Sequence, residues 1–238
     1  MRWAGRAADG ARVSVAVLDL GSGRTVCHGG GEFVTASVVK VDILAALLLR
    51  AQDAGRELTG AERSYAAAMI EHSDNGAASA LWDGIGRAAG LDAANARFGL
   101  TRTRGGDGTL WGLTRTTALD RLVLLRQVFG GGPRLDGASR ALVRELMERV
   151  VPDQAWGVPA VADAGTAWAV KNGWLPRDAT GLWVVHSVGR VTAGGRECLV
   201  SVLSDGNATK AAGVALVEAA AGAARSAFGG GAGRPAGR

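Results

Sequence analysis

"EFVTASVVKVDILAALLLR", residues 32–50, places Ser37 and Lys40 three positions apart, where valine-rich sequence gives way to a helical apolar pattern. From Val38 onward apolar residues recur at three- and four-residue spacing, which predicts a helix whose first turn carries both polar side chains on one face. A helix-capping serine and a lysine snorkelling to solvent would give the same letters. Catalytic chemistry gives another account. A serine hydroxyl is a poor nucleophile until a base takes its proton, and an amine one turn along the helix is within reach of it. That amine must be uncharged, a state that burial and a second nearby cation would both favour.

The sequence around this stretch sets the fold class. "RVSVAVLDLGSGRTVCHGG", residues 12–30, reads as a β-hairpin turning at Gly21-Ser22-Gly23. Helical spacing runs from Val38 to about Val150, through "VDILAALLLRAQDAG", "AERSYAAAMIEHS" and "SRALVRELMERVV". Strand character returns in "AWAVKNGW", "GLWVVHSVGRVT" and "ECLVSVLSD", followed by an Ala-rich helix from Thr209 to Phe228. Strands separated by a helical segment and then rejoined predict an α+β fold, a five-stranded antiparallel sheet flanked by helices with an inserted all-helical lobe. The expected organisation is one domain, with a sheet lobe at 1–36 and 160–228 and a helical lobe at 37–159. A disordered tail is expected at 229–238. The cleft between lobes is the natural place for a small-molecule site.

Composition narrows the function classes. The 238 residues are 47% apolar, enough for a substantial core, and the net charge of +5 comes from arginines scattered along the whole chain. No recognition helix, zinc finger or aromatic RNA-binding signature accompanies that charge, so no nucleic-acid partner is expected. Cys27 and Cys198, each in an apolar strand-like run, are read as small core residues, with a disulfide as the alternative. His28, His72 and His186 lie far apart and form no ligand pattern, so no metal and no cofactor are assigned. The longest apolar run, "ILAALLL", falls well short of the ~20 residues of a membrane-spanning helix, so no membrane association is expected. The opening "MRWAGRAADGARV" lacks a signal-peptide core; the chain as given is expected to be cytoplasmic, or secreted if its start has been trimmed. A monomer is expected.

Three lysines in the chain, Lys40, Lys171 and Lys210, make each position informative. "HSDNG", residues 72–76, supplies Ser73, Asp74 and Asn75, and "VKNGW", residues 170–174, puts Lys171, Asn172 and Gly173 on an expected strand. Ser-x-x-Lys, then Ser-Asp-Asn in a helical region, then Lys-Thr-Gly on a strand is the ordered signature of class A β-lactamases and penicillin-binding proteins, which this chain resembles over nearly its whole length. The resemblance implies an acyl-enzyme formed at Ser37, with Lys40 as the activating base. Ser73 would deliver a proton to the leaving nitrogen beside the Lys171 ammonium, and the Ser37 and Trp174 N–H groups would form the oxyanion hole. Asn75, Asn172 and Gly173 are the expected substrate-binding positions, and Asp74 is expected to fix the turn.

The departures from the pattern are equally specific. Class A enzymes carry a Glu-x-x-Leu-Asn stretch whose acid activates the deacylating water, and none occurs here. The corresponding "FGLTRTRGGDGTLWGLTRTT", residues 98–117, contains one acid, Asp107, in a Gly-rich turn where an Asp is expected for conformational reasons, with a substitute base as the alternative. Asn172 replaces the usual hydroxyl residue; its amide also donates hydrogen bonds but is bulkier. Arg177 and Arg190, near the third motif, are read first as surface arginines, with anion binding as the alternative. Trp156, Trp168, Trp174 and Trp183 cluster in sequence around it, with Trp174 the expected wall of the site. The Ser37-to-Ser73 spacing is short for the family, which implies a more open site. The expected function is a serine hydrolase or acyltransferase acting on a small molecule, a β-lactam or peptidoglycan-like acyl compound, with weak β-lactam turnover. The alternative is a non-catalytic module that binds cell-wall fragments on the same fold.

Overall fold

The computed structural model describes residues 10–229. The first nine residues of the expected sheet lobe, and 230–238 of the expected tail, lie outside the described residues. In chain order the elements are β1 (Arg12–Asp19), β2 (Thr25–His28), β3 (Phe33–Val34), α1 (Lys40–Asp53), α2 (Gly60–Glu71), α3 (Asn75–Gly84) and α4 (Arg87–Phe98). They continue with β4 (Arg115–Thr116), α5 (Ala118–Phe129), α6 (Gly137–Glu148), β5 (Ala169–Pro176), β6 (Trp183–Ala193), β7 (Arg196–Asn207) and α7 (Lys210–Gly229).

Five strands form one antiparallel sheet in the order β2-β1-β7-β6-β5, so the hairpin at the N-terminal end joins three strands from the other end of the chain. Both faces of the central strands are apolar because both are covered. Val13, Val15 and Val17 of β1 share a core with Val200 and Val202 of β7 and with Val217, Ala220 and Ala221 of α7. The alternate residues Ala16, Leu18, Leu199 and Leu203 join the core built on α1. Strand periodicity of two thus divides the sequence between two cores. The fold is α+β, as the alternation and helical spacing predicted.

Helix α1 is buried nearly all round, with Ile43, Leu44, Leu47 and Leu49 at 2% exposure or less, which fits a helix enclosed by others rather than one facing solvent. A buried ion pair crosses this core. Asp42 pairs with Arg121 of α5, and both side chains are essentially inaccessible. Arg121 also donates to Thr103 Oγ1 (3.2 Å), and Thr103 donates to Asp120 Oδ2 (2.7 Å), so the ion pair ties α1 to α5 and to the segment after α4.

Two details differ from expectation. β3 and β4 form a small separate ladder, Phe33 opposite Thr116, where the sequence shows no strand alternation. Both cysteines are free: Cys198 is buried, but Cys27 is exposed, because β2 is the edge strand of the sheet and only Cys198 lies on a central one.

Candidate active site

Ser37 lies in a 3-10 turn, Ala36–Val39, that runs directly into α1 at Lys40. Ala36, just before it, adopts φ +45°, and Ser73 adopts φ +57°, a left-handed backbone costly for residues with a Cβ. Strain of this kind persists where surrounding structure enforces it, and two of the three such non-glycine residues among those described flank this one site. Ser73 follows α2, and Asp74 caps α3 by accepting from Ala77 N (2.6 Å), as expected of a turn-fixing residue. Lys171 and Gly173 project from β5 toward the Ser37 turn. A Cβ on Gly173 would lie 2.8 Å from both Ser37 N and Val38 N, so only glycine lets the strand press this closely.

Lys40, Ser73, Asn75 and Lys171 converge. Ser73 Oγ sits between two amines, Lys40 Nζ at 3.1 Å and Lys171 Nζ at 3.0 Å. Lys40 Nζ also donates to Ser73 O (2.7 Å) and to Asn75 Oδ1 (2.8 Å), and its ammonium position lies 4.9 Å from the Trp111 ring centroid. Lys40 N donates to Ser37 O within the turn, but among the described residues no hydrogen bond joins Lys40 Nζ to the Ser37 side chain; the direct side-chain partners of Lys40 are Ser73 and Asn75. Lys171 is completed by Asn172 O (3.3 Å) and, more weakly, Gln154 Oε1 (3.5 Å).

Both lysines are fully inaccessible. Burial pushes Lys40 down to about 7, the Asp74 charge opposing this in part. Burial, then repulsion from Lys40, holds Lys171 well below the ordinary lysine range. Two ammonium ions against one hydroxyl is therefore a disfavoured state, and loss of one proton relieves it. With Lys40 as the free amine, its two N–H groups fit Ser73 O and Asn75 Oδ1, and its lone pair fits the Ser73 hydroxyl proton.

A cavity of about 460 Å³ opens from this cluster, lined by Ser37, Asn75, Trp111, Trp174, Leu175 and Arg177 among others. Trp111 was not singled out from the sequence; an indole inside the Gly-rich stretch that replaces the usual acidic loop was the available signal. Its Nε1 donates to Ser79 Oγ (3.1 Å), fixing the ring over Lys40. Trp174 forms the opposite wall, packed 6.0 Å from Trp156, with Lys210 Nζ 3.8 Å from its centroid.

One expectation needs correction, and two readings left open by the sequence are narrowed. Asn172 does not face the cavity. The alternation of β5 turns Lys171 and Gly173 toward Ser37 and Asn172 the other way, where its amide donates to Gln154 O (2.8 Å) and Trp156 O (3.0 Å). Asp107 is exposed and absent from the cavity lining, so it is not placed as a substitute base. Arg190 pairs with Glu148 (3.0 Å) and Glu197 (3.6 Å), which makes it a structural residue, whereas Arg177 lines the cavity.

The described residues contain no cluster of side chains suited to a metal, and no described helix is long and apolar enough to cross a membrane. The model of the β-lactamase enzyme family matches residues 60–228, which carry the second and third motifs. The chain belongs to that family. The match begins after Ser37 and Lys40, so the first motif rests on its own geometry. A protein of Mycobacterium tuberculosis given the provisional name lipoprotein LppW is 31% identical over 177 residues, 71% of this chain and 56% of the relative. The chain thus spans about half the length of the curated relatives it matches. Among solved structures, the class A β-lactamase of Mycobacterium abscessus superposes with a TM-score of 0.75 at 24% identity, covering 92% of this chain and 94% of that one. A mutant of PBP-A, captured as its acyl-enzyme with penicillin G, superposes with a TM-score of 0.77 at 24% identity, covering 92% and 91%. At these identities the likeness establishes the β-lactamase fold.

Proposed function

We propose that this β-lactamase-family chain is an active-site serine hydrolase or acyltransferase that takes an acyl group from a small-molecule β-lactam, amide or ester onto Ser37, acting as a monomer. The observation that carries this reading is Ser73 Oγ held between the Lys40 and Lys171 amines next to the strained Ser37 turn. A binding module has no use for two buried, mutually repelling amines on one hydroxyl.

The proposed sequence balances as follows. Lys40, as free amine, takes the Ser37 proton while Ser37 Oγ bonds to the substrate carbonyl carbon. The oxygen that gains charge is met by the N–H groups of Ser37 and Trp174, one at the start of a helical turn and one on the sheet's edge strand. Ser73 gives its proton to the departing nitrogen as the C–N bond breaks, and Lys40 returns the proton to Ser73. Asn75 has its Oδ1 engaged by Lys40, which leaves its Nδ2 for a substrate carbonyl. The PBP-A acyl-enzyme supports covalent chemistry on this fold by analogy.

Hydrolysis of the acyl-enzyme is proposed to be slow. The acid that does line the cavity, Asp178, follows β5, about 16 Å of extended chain beyond Gly173. Asp74 is occupied as a helix cap. Incubation with a fluorescent penicillin followed by intact-mass measurement should show a long-lived adduct that is absent in Ser37→Ala. A wild-type protein that stays unmodified would sink the acylation proposal, and nitrocefin turnover at the rate of an efficient β-lactamase would sink the slow-hydrolysis part.

A further inference from the structure

Arg177 and Asp178 lie where the cavity runs on from Ser37, and they are the charged residues among those that line it. Neither side chain makes a hydrogen bond or ion pair with another described residue, and they do not pair with each other. Their backbone is nonetheless well held. Arg177 N donates to Leu182 O (2.8 Å), and Arg177 O accepts from Thr180 N (3.0 Å) and Gly181 N (2.8 Å), closing the turn between β5 and β6. A fixed turn thus presents two opposite, solvent-facing charges side by side, neither paired with another described side chain.

The cavity's position decides which part of a substrate meets them. Ser73, Lys40 and Lys171, the groups that serve the leaving nitrogen, are not in its lining, whereas Ser37, Asn75 and Trp174 are. The leaving group therefore departs toward the lysines, and the acyl portion extends along the cavity. Its walls on the way are apolar, with Leu110, Trp111 and Leu113 on one side and Trp174, Leu175 and Pro176 on the other. Arg177 sits about 13 Å along the extended strand from Gly173, which abuts the nucleophile, and its long side chain can reach back. A simple anion would satisfy Arg177 and repel Asp178, and a simple cation the reverse. A dipolar group satisfies both.

Resting on the acyl-enzyme reading above, we infer that the acyl portion of the substrate is an apolar stem tipped by a zwitterion, an ammonium and a carboxylate on one carbon, as at the end of an amino acid, held by Asp178 and Arg177. The site selects the distal end of the acyl donor, and the apolar walls select the stem.

Three amides of 6-aminopenicillanic acid separate the charges: D-α-aminoadipyl (both), adipyl (carboxylate alone) and hexanoyl (neither). Their binding to Ser37→Ala, read by tryptophan fluorescence from Trp111 and Trp174, is independent of acylation. The aminoadipyl compound is expected to bind about tenfold tighter than the hexanoyl one, with adipyl between them. Arg177→Ala should bring all three within about threefold, and Asp178→Asn should remove only the advantage of aminoadipyl over adipyl. Both positions are on a surface turn, and thermal melts check that each variant is folded. Equal binding of the three, no binding of any, or an order unchanged by the substitutions would overturn the inference. The same compounds offered to the wild type and followed by intact mass test the parent reading separately. Ordered binding without an adduct would remove the acylation proposal and keep the zwitterion site; adduct formation without ordered binding would do the opposite.

Discussion

Gly173 shows how far one missing methyl group carries. Gly173→Ala would set a Cβ against the backbone of the Ser37 turn, which cannot give way as a flexible side chain would. The expected result is a loss of acylation rate of about 10²-fold, the cost of displacing a nucleophile by roughly 1 Å, with overall fold retained. Stopped-flow acylation by a chromogenic β-lactam measures it, and an unchanged rate would show that β5 does not position the nucleophile. Lys40 makes a second prediction at this scale. Raising the pH removes its proton, so the acylation rate should climb and level off above about pH 7. Lys40→Arg, which stays charged, should lose about 10²- to 10⁴-fold at every pH. The gathering of Lys40, Ser73 and Lys171 beside the Ser37 turn was legible in the sequence because short motifs carry it in their spacing. Asn172 was misread because three consecutive residues were taken as one site, whereas a strand sends Asn172 to the face opposite Lys171 and Gly173. Trp111 was missed because its partners, Lys40 and Ser79, are distant in sequence.

The junction of α1 with α5 belongs to the scale of elements. Asp42 and Arg121 are both buried, Asp42 Oδ1 and Arg121 Nε lack hydrogen-bond partners, and burial pushes Asp42 up against the opposing pull of Arg121. Removing one partner leaves an uncompensated charge in the core. Asp42→Ala should therefore cost about 3–5 kcal/mol in urea unfolding, whereas the apolar double replacement Asp42→Leu with Arg121→Met should cost much less. Equal losses in the two variants would mean that the packed volume matters here rather than the pairing. Elements with strong periodicity, such as α1, β6 and β7, were readable to within a few residues. The β3–β4 ladder was not, since strands of two residues leave no period, and the ion pair across 79 residues leaves no local trace.

Across the whole molecule, one buried histidine links the sheet to the Ser37 turn. His186 of β6 accepts from Ser204 N at Nδ1 (3.1 Å), so its Nε2–H donates to Val34 O (2.7 Å), three residues ahead of Ser37. Burial holds it down to about 4. The unfolded chain, with an ordinary histidine, binds the proton first as pH falls, so this contribution is intact above about pH 6.5 and is lost progressively toward pH 4. Denaturant midpoints should show a decline of up to about 3 kcal/mol over that window, flattened in His186→Gln. A slope identical in the two proteins would remove His186 from the account.

The scarcity of lysine has a practical consequence. Of the three ε-amines in the chain, two are sealed inside the cluster around Ser73, and Lys210 is the partly accessible one. An amine-directed tag should therefore modify Lys210 of the folded protein and leave Lys40 and Lys171 untouched until the chain opens. The number of tags per molecule, counted by mass, would then serve as a direct gauge of how much of a preparation keeps the two lysines enclosed.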